Sequence, residues 1–460
     1  MTDSASMPAP EKIPFWRNPT IRAYGFQAVM LVGLVLLALV IYRNTLANLT
    51  LRGINTGFAF LSNEAGFGIG ETSAIPMINP GFFYFLFSTL GVALGLFLLF
   101  RYLIQAEGNG KNRFMLAAGG VLFIGSLGCF YTSISLVETY TYTHAATYVT
   151  ALVTGLINTL KVAVLGCVLS TILGLFIALA RLSPNWLLKK LAHAYIEINR
   201  NIPVLMHLFF WYFIVFQRLP GVRQSASLFD TVFFNNRGVY LPRPVFQENF
   251  ALFFVAIFLS LVIVLFLWLH GRKRQGLTGK KTPLMVPCLG VMIGLPALVY
   301  LFTGTPFHFD YPVLKGFNFK GGMTLTPEFM ALVTGLTVYV SAFNAEIIRS
   351  GIESVSKGQT EAGRALSMSE GRIMRKVVLP QALRVIIPPM TSEYLAIAKN
   401  SSLAVAIGYP DLVSIGGTIL NQTGQSIEVI GIWMTVYLII SLLISIGMNW
   451  YNAKIRLIQR

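Results

Sequence analysis

Long apolar runs separated by shorter polar and basic stretches set the pattern of this 460-residue chain. A bilayer core about 30 Å thick takes roughly 20 apolar residues as helix, and each span must satisfy its own backbone hydrogen bonds. Runs of suitable character lie at 26–42, 83–100, 114–134, 152–180, 203–216, 252–269, 284–302, 332–348, 385–407 and 429–448. They predict an all-α polytopic membrane protein of about ten helices. The fifth run is short, and the ninth is interrupted by Pro388 and Pro389. Two longer polar segments, 44–80 and 217–249, are rich in turn-forming residues and read as loops on one side of the membrane.

Composition sharpens this reading: 55% of residues are hydrophobic and 12% charged, with mean hydropathy +0.67, a balance foreign to soluble domains of this size. The net charge of +17 raises the question of nucleic acid, but the cations fall between apolar runs, as in the inner loops of membrane proteins. With both ends placed inside, 25 of the 35 Lys and Arg lie on the inner side and 8 outside, and Lys161 and Lys399 stay within apolar runs. The expectation is a multi-pass membrane protein with both termini cytoplasmic. Four arginines between Arg218 and Pro244 fit the outer assignment least well. The first 18 residues are polar and carry no apolar core before a small-residue cleavage site, so the first run is expected to remain as an anchor.

Several chemistries lack the residues they need. No Gly-rich loop ends in Gly-Lys-Ser/Thr, since Gly110-Lys111 is followed by Asn112 and Gly279-Lys280 by Lys281. ATP hydrolysis is therefore not expected on this chain. Cys129, Cys167 and Cys288 lie in apolar runs, and the five histidines show no metal-ligand spacing, so neither a catalytic residue nor a metal site is expected. A secondary transporter or channel driven by an ion gradient is one class to weigh; if the substrate is an amino acid, as the resemblance below implies, it is the ion-gradient-driven alternative to that resemblance. Such proteins often bury carboxylates in the membrane, and apart from Glu393 the apolar runs hold almost none.

The segment 350–380, SGIESVSKGQTEAGRALSMSEGRIMRKVVLP, is unlike a simple connector. Gly358 can end the preceding helix in a left-handed cap, Thr360 can cap the next, and Glu361 then sits at the positive end of its dipole. Ala362, Ala365 and Leu366 fall on one face of that short helix, away from Glu361 and Arg364. A second helix is expected from Ser369 into Leu379-Pro380. On these grounds alone the segment could equally lie as an amphipathic hairpin on the headgroups.

The same segment resembles the EAA loop of importer permeases of the ATP-binding-cassette (ABC) superfamily, whose pattern is Glu-Ala-Ala, three residues, Gly, nine residues, Ile, one residue, Leu-Pro. Glu361, Ala362, Leu379 and Pro380 match at that spacing, whereas Gly363, Ser367 and Val377 replace Ala, Gly and Ile. At Ser367 the left-handed backbone favoured by glycine costs roughly 1 kcal/mol, so a reshaped turn is expected there. Further likeness lies in 155–160, 180–183, 195–203 and 345–351, and in Lys399-Asn-Ser-Ser402 with 407–412, which resemble permeases for polar amino acids and most of all the large permease of general L-amino-acid importers.

The resemblance implies a type I ABC importer transmembrane domain with a MetI-like core at 150–455. An insertion at about 218–327 adds two helices, and an N-terminal extension, 1–149, adds about three helices and an external loop. It implies that Gln359, Glu361, Ala362, Gly363, Arg364, Ala365, Leu366 and Ser367 couple to a separate ATPase homodimer, which holds the ATP and Mg, so that no cofactor is bound by this chain. It also implies a bacterial inner membrane as the location, a second, related and shorter permease subunit and an extracytoplasmic amino-acid-binding protein. The outer segments 44–80 and 411–426 are the candidates for docking it, from position alone.

Two further sets of residues stand out. Glu197 with Arg200, and Glu346 with Arg349, have the i,i+3 spacing of an ion pair at a helix end, and their expected role is structural. Lys161 and Lys399 each cost about 2.5–3.5 kcal/mol at a span centre and seldom face lipid. They either snorkel or, with Asn158, Thr159, Asn400 and Ser402, line a substrate pathway.

Overall fold

In the computed structural model the described residues are 19–51, 57–72, 75–76, 88, 126, 139–247, 250–278, 285–305 and 307–455. The spans expected at 83–100 and 114–134 lie outside them, save for isolated Ser88 and Ser126. The chain is mostly helical. Helix α1 (Pro19–Leu51) precedes α2 (Tyr148–Leu182), the amphipathic α3 (Trp186–Asn201), and α4 (Val204–Phe209), which continues as a π-helix over Phe210–Phe216. Next come α5 (Phe250–Thr278), α6 (Met285–Thr303), α7 (Pro327–Glu353), α8 (Lys357–Ala365) and α9 (Glu370–Ile373). A π-turn, Met374–Val378, joins α9 to α10 (Leu379–Asn400); a 3-10 segment, Ser401–Ile407, precedes α11 (Leu412–Thr423) and α12 (Ser426–Ile455).

Among the described residues, five helices are long and apolar enough to cross a membrane, or six if the bent pair Glu370–Ile407 with Leu412–Thr423 counts as one span. Apolar patterning did not mark α3, whose buried Ala192, Ile196 and Asn199 recur at helical spacing on an otherwise exposed surface. Its start is fixed by Asn185, whose Oδ1 accepts from the backbone N of Leu187 (2.9 Å) and Leu188 (3.3 Å).

The centre of the bundle is the pair α2 and α7, crossed by α10. Its largest cluster joins Val162 of α2, Leu208 of α4, Leu332, Leu336 and Val340 of α7, Ile397 of α10, and Tyr409. Lipid tails are as apolar as leucine, so close packing of small residues has to hold such helices together. Gly174 is one such position, where an added Cβ would lie 2.7 Å from Asn344 Cβ and 3.0 Å from Ser341 O on α7. Both α2 and α7 begin with a threonine cap: Thr147 Oγ1 accepts from Thr150 N and Thr326 Oγ1 from Phe329 N. The end where these helices start is called the upper end below, and the end where α7 stops is the lower end.

The upper end carries what an all-helical reading passes over: ten short strands among the described residues. The segment 217–249, read as a loop, supplies β3 (Ala226–Leu228), β4 (Val232–Asn235), β5 (Gly238–Leu241) and β6 (Arg243–Phe246), and the stretch between α6 and α7 supplies β7 (Phe307–Asp310), β8 (Val313–Lys315), β9 (Asn318–Lys320) and β10 (Met323–Leu325). Before them, β1 (Ile75–Pro76) pairs with β2 (Thr139–Tyr140). Strand order β10-β5-β4-β3 closes a four-stranded antiparallel sheet across the inserted α5 and α6, and β6 pairs with β7 in the same way. Val222, Tyr240 and Phe319, with Phe233 against them, form a small separate core.

Candidate functional site

At the lower end the chain leaves α7 through Ser354 and re-enters helix at Lys357 with Ser356 at the cap position. The helix thus begins one turn earlier than expected. Gly358 and Thr360 lie within it and neither caps an end, and Glu361 sits at its middle. The start is local: Ser356, at φ −53° and ψ 135°, is the last non-helical residue and makes no side-chain cap bond, and its carbonyl accepts from Gln359 N at 3.0 Å, so helical bonding begins before Thr360 is reached. The second helix does start after Ser369, with Glu370 in its first turn.

Between the two helices the turn keeps its glycine-type geometry with a serine in place. Ser367 stands at φ +53°. Ser367 N donates to Arg364 O (2.8 Å) and Met368 N to Gly363 O (3.1 Å), the two bonds of a Schellman cap. These bonds satisfy the last carbonyls of the helix and hold Ser367 in a conformation that costs roughly 1–2 kcal/mol. Gly363 is the residue the turn presses inward: an added Cβ would lie 2.9 Å from Cγ1 of Ile373, which is buried. Glu361, Ala362, Arg364, Ala365, Leu366 and Ser367 are all exposed, and Leu366 is 76% exposed. The result is a short rigid helix whose only buried residue is Gly363.

Polar contacts fix this hairpin internally and to the bundle. Arg364 Nε donates to Glu370 Oε1 at 2.7 Å across the turn. The pairing holds the Glu370 carboxyl below its ordinary value and raises the Arg364 guanidinium. Gln381 Nε2 at the foot of α10 donates to Val377 O (3.0 Å) and reaches Gln359 Oε1 (3.4 Å). Arg349 at the foot of α7 pairs with Glu346 (Nε to Oε2, 3.0 Å) and also with Glu353. Two residues later Gly351 admits Ile386 of α10, whose Cγ1 would lie 2.2 Å from an added Cβ. The feet of α7 and α10 are therefore locked together on either side of the hairpin. The expected Glu197–Arg200 pair does not form among the described residues, because Arg200 instead lies over the Phe343 ring of α7, 5.4 Å from its centroid.

The polar residues proposed for a pathway separate into two groups. Asn158 and Thr159 are fully buried. Asn158 Nδ2 donates to Glu71 O and to Pro410 O, both at 3.0 Å, and Thr159 Oγ1 accepts from Leu412 N at 3.1 Å. These two bolt the break between the 3-10 segment and α11 onto α2 and do not face a pathway. Lys161 is half-buried, with Nζ 3.4 Å from Asn158 Oδ1. Lys399 is exposed, Asn400 and Ser402 are half-exposed, and Ser402 Oγ donates to Lys399 O (2.7 Å). Residues 411–426, read as an outer loop, mostly form α11, with Leu412, Ile415 and Ile419 buried.

Two upper-end carboxylates escaped notice in the sequence. Asp411 is fully buried and caps α11, Oδ1 accepting from Ser414 N at 2.8 Å. An Asp immediately ahead of an apolar helical run is a capping signal that could have found it. Glu71 accepts from Thr326 Oγ1 (3.0 Å), and burial raises its carboxyl above the ordinary value, offset by that bond and by Lys161. Nothing local in the sequence announces Glu71, whose partners are more than 80 residues away. With Glu328, Gly408, Pro410, Ser414 and Thr418 it lines a cleft of about 360 Å³.

Residues 280–456 match the family described as binding-protein-dependent transport system inner membrane component. A putative amino-acid ABC transporter permease protein, YhdX, of Escherichia coli (strain K12) is 43% identical over 444 residues, 96% of each chain. The general L-amino acid transport system permease protein AapQ of Rhizobium johnstonii is 47% identical over 70% of this chain and 80% of its own length. The glutamate/glutamine/aspartate/asparagine transport system permease protein BztB of Rhodobacter capsulatus is 40% identical over 69% of this chain and 82% of its own length.

Proposed function

The chain belongs to the family of ABC transporter permeases, and from that membership we propose that it forms the translocation pathway for L-amino acids in an ATP-driven importer, with the α8 hairpin as the lever. It is a multi-pass membrane protein and a transporter component, and the chemistry that drives it resides on other subunits. The observation that carries the lever is the hairpin itself. A short helix with a fixed turn projects exposed side chains while its base is locked to α7 and α10.

On this reading the lower end faces the cytoplasm, and Gln359, Glu361, Ala362, Ala365 and Leu366 enter a groove on one of two ATPase subunits. A second, related permease completes the pathway, and an extracytoplasmic binding protein delivers the amino acid at the upper end. Closure of the ATPases on ATP pulls the hairpin, and α7 and α10 turn with it. Lys399, Asn400 and Ser402 line part of the pathway where the second permease covers them; alanine at Lys399 with unchanged uptake removes that assignment.

The test is ATP hydrolysis by the reconstituted complex, with and without amino-acid-loaded binding protein. Stimulation is expected in wild type and is lost in Ala365→Asp, which puts a charge on the exposed face, with a smaller loss in Glu361→Ala. Uptake that persists in vesicles lacking any ATPase, driven by an ion gradient, would overturn the reading.

A further inference from the structure

The strands of the upper end form a platform of unusual charge. Over residues 217–247 and 307–326 the chain carries Arg218, Arg223, Arg237, Arg243, Lys315 and Lys320 against two carboxylates, Asp230 and Asp310. All six cations are exposed. Membrane proteins concentrate Lys and Arg in their cytoplasmic loops, so six on the opposite end run against the ordinary bias. The platform is also built to be rigid. Its sheet closes on its own core of Val222, Tyr240 and Phe319, and Asn235 Nδ2 donates to Ser225 Oγ at 3.0 Å.

Two aromatic residues that ought to be inside are outside. Phe317 is 76% exposed, and the Arg223 guanidinium lies over its ring, 4.4 Å from the centroid. The pair borders a groove of about 470 Å³ with Gly221, Gln224, Asn236 and Arg237. Phe229 is 87% exposed at the tip of the β3–β4 hairpin, where it and Asp230 stand at φ +55° and +51°. A bulky residue at positive φ is a genuine outlier, and such strain persists where it serves a purpose. Exposed aromatics flanked by arginine are the composition of interface hot spots.

Resting on the importer reading, we propose that this platform docks an acidic surface of the extracytoplasmic amino-acid-binding protein. The cations steer and orient the partner, and Phe229 and Phe317 anchor it. A protein partner is favoured over lipid because the cations stand on a sheet with its own core, beside two exposed aromatics and a groove of about 470 Å³, the composition of a protein interface. Electrostatic docking of this kind acts mainly through encounter rate and salt dependence.

The experiment uses the full complex in nanodiscs and titrates amino-acid-loaded binding protein against ATP hydrolysis for wild type, Arg223→Glu with Arg237→Glu, and Phe229→Ser. Basal hydrolysis reports that each variant is folded and assembled. The double reversal is expected to raise the half-saturating concentration at least about tenfold while leaving maximal hydrolysis unchanged, and to flatten its dependence on salt. Phe229→Ser is expected to raise it less, with the salt dependence kept. Unchanged half-saturation in both variants overturns the proposal and leaves the importer reading standing. A shift that disappears when phosphatidylglycerol is replaced by phosphatidylcholine assigns the arginines to lipid and also overturns it. Wild type that no binding protein stimulates overturns the importer reading and the proposal together.

Discussion

The hairpin below α7 and the platform above it lie at the two ends of one 27-residue helix, about 40 Å apart at 1.5 Å per residue, and they are held by opposite kinds of contact. In the hairpin every decisive bond is local: Met368 to Gly363, Ser367 to Arg364, Arg364 to Glu370. In the platform the decisive pairing is long-range, β5 with β10 across the whole of α5 and α6. Both ends hold non-glycine residues in left-handed backbone, Ser367 below and Phe229 and Asp230 above. A locally closed turn can move as one piece with the helices it joins, which suits a lever. A sheet closed across an inserted helix pair depends on the rest of the fold, which suits a fixed landing surface.

The sharpest way to break the comparison is at the sheet closure. Gly238 stands at φ +128°, and an added Cβ would lie 2.2 Å from Leu325 O. Gly238→Ala is expected to cost on the order of 3 kcal/mol locally. Limited proteolysis should then cut within 217–247 or 307–326 while amide exchange in the hairpin stays unchanged. Loss of protection at both ends would mean that the two regions are not independent.

Gly363→Ala comes next. It forces a methyl against buried Ile373 and is expected to cost roughly 1–3 kcal/mol of hairpin packing, lowering stimulated ATP hydrolysis. Ile373→Ala, which removes both the Cγ1 and the Cδ1 that the methyl would meet, should make the cost of Gly363→Ala largely disappear in that background. A double-mutant cycle reads the coupling directly. Absence of coupling would place the strain elsewhere.

Ser367→Gly should go the other way, because it relieves the left-handed serine without touching the Schellman bonds. A gain of about 1 kcal/mol slows opening of the hairpin roughly fivefold in amide exchange at Met368. The smallest effect is expected at Arg364 and Glu370. Glu370 titrates below its ordinary value through Arg364, so the contribution of the pair is present above the ordinary carboxylate range. It is lost as pH falls through the lowered value. Both pH 6 and pH 8 lie above that range, so hairpin protection, taken relative to the base-catalysed intrinsic exchange rate, should be the same at both, and because both side chains are exposed Arg364→Ala should change little in high salt.

Legibility in the sequence followed the same division between local and distant contacts. Apolar runs located α2, α7, α10 and α12 because a span needs a length of apolar helix whatever surrounds it. The spacing of Glu361, Ala362, Leu379 and Pro380 located the hairpin, although the true cap, Ser356, lay one turn ahead of the residue chosen. Ser367 kept the turn because two backbone bonds hold it, and no local propensity reports them. The strands were hidden in segments of two to four residues, too short for alternation to register, and two of their pairings, β5 with β10 and β6 with β7, reach across α5 and α6. Asn158 and Thr159 drew attention as polar residues in an apolar run. Only the fold shows their hydrogen bonds to Glu71, Pro410 and Leu412.

The central claim is that the exposed face of α8 is covered by an ATPase subunit in the assembled transporter. The direct measurement is thiol labelling of Leu366→Cys with a bulky maleimide, relative to the unsubstituted chain, before and after the ATPase is added. Rapid labelling of the chain alone and protection in the complex, relieved when the ATPase is stripped away, is the predicted result. Equal labelling in both states would contradict the account, because it would leave the lever with nothing to push it.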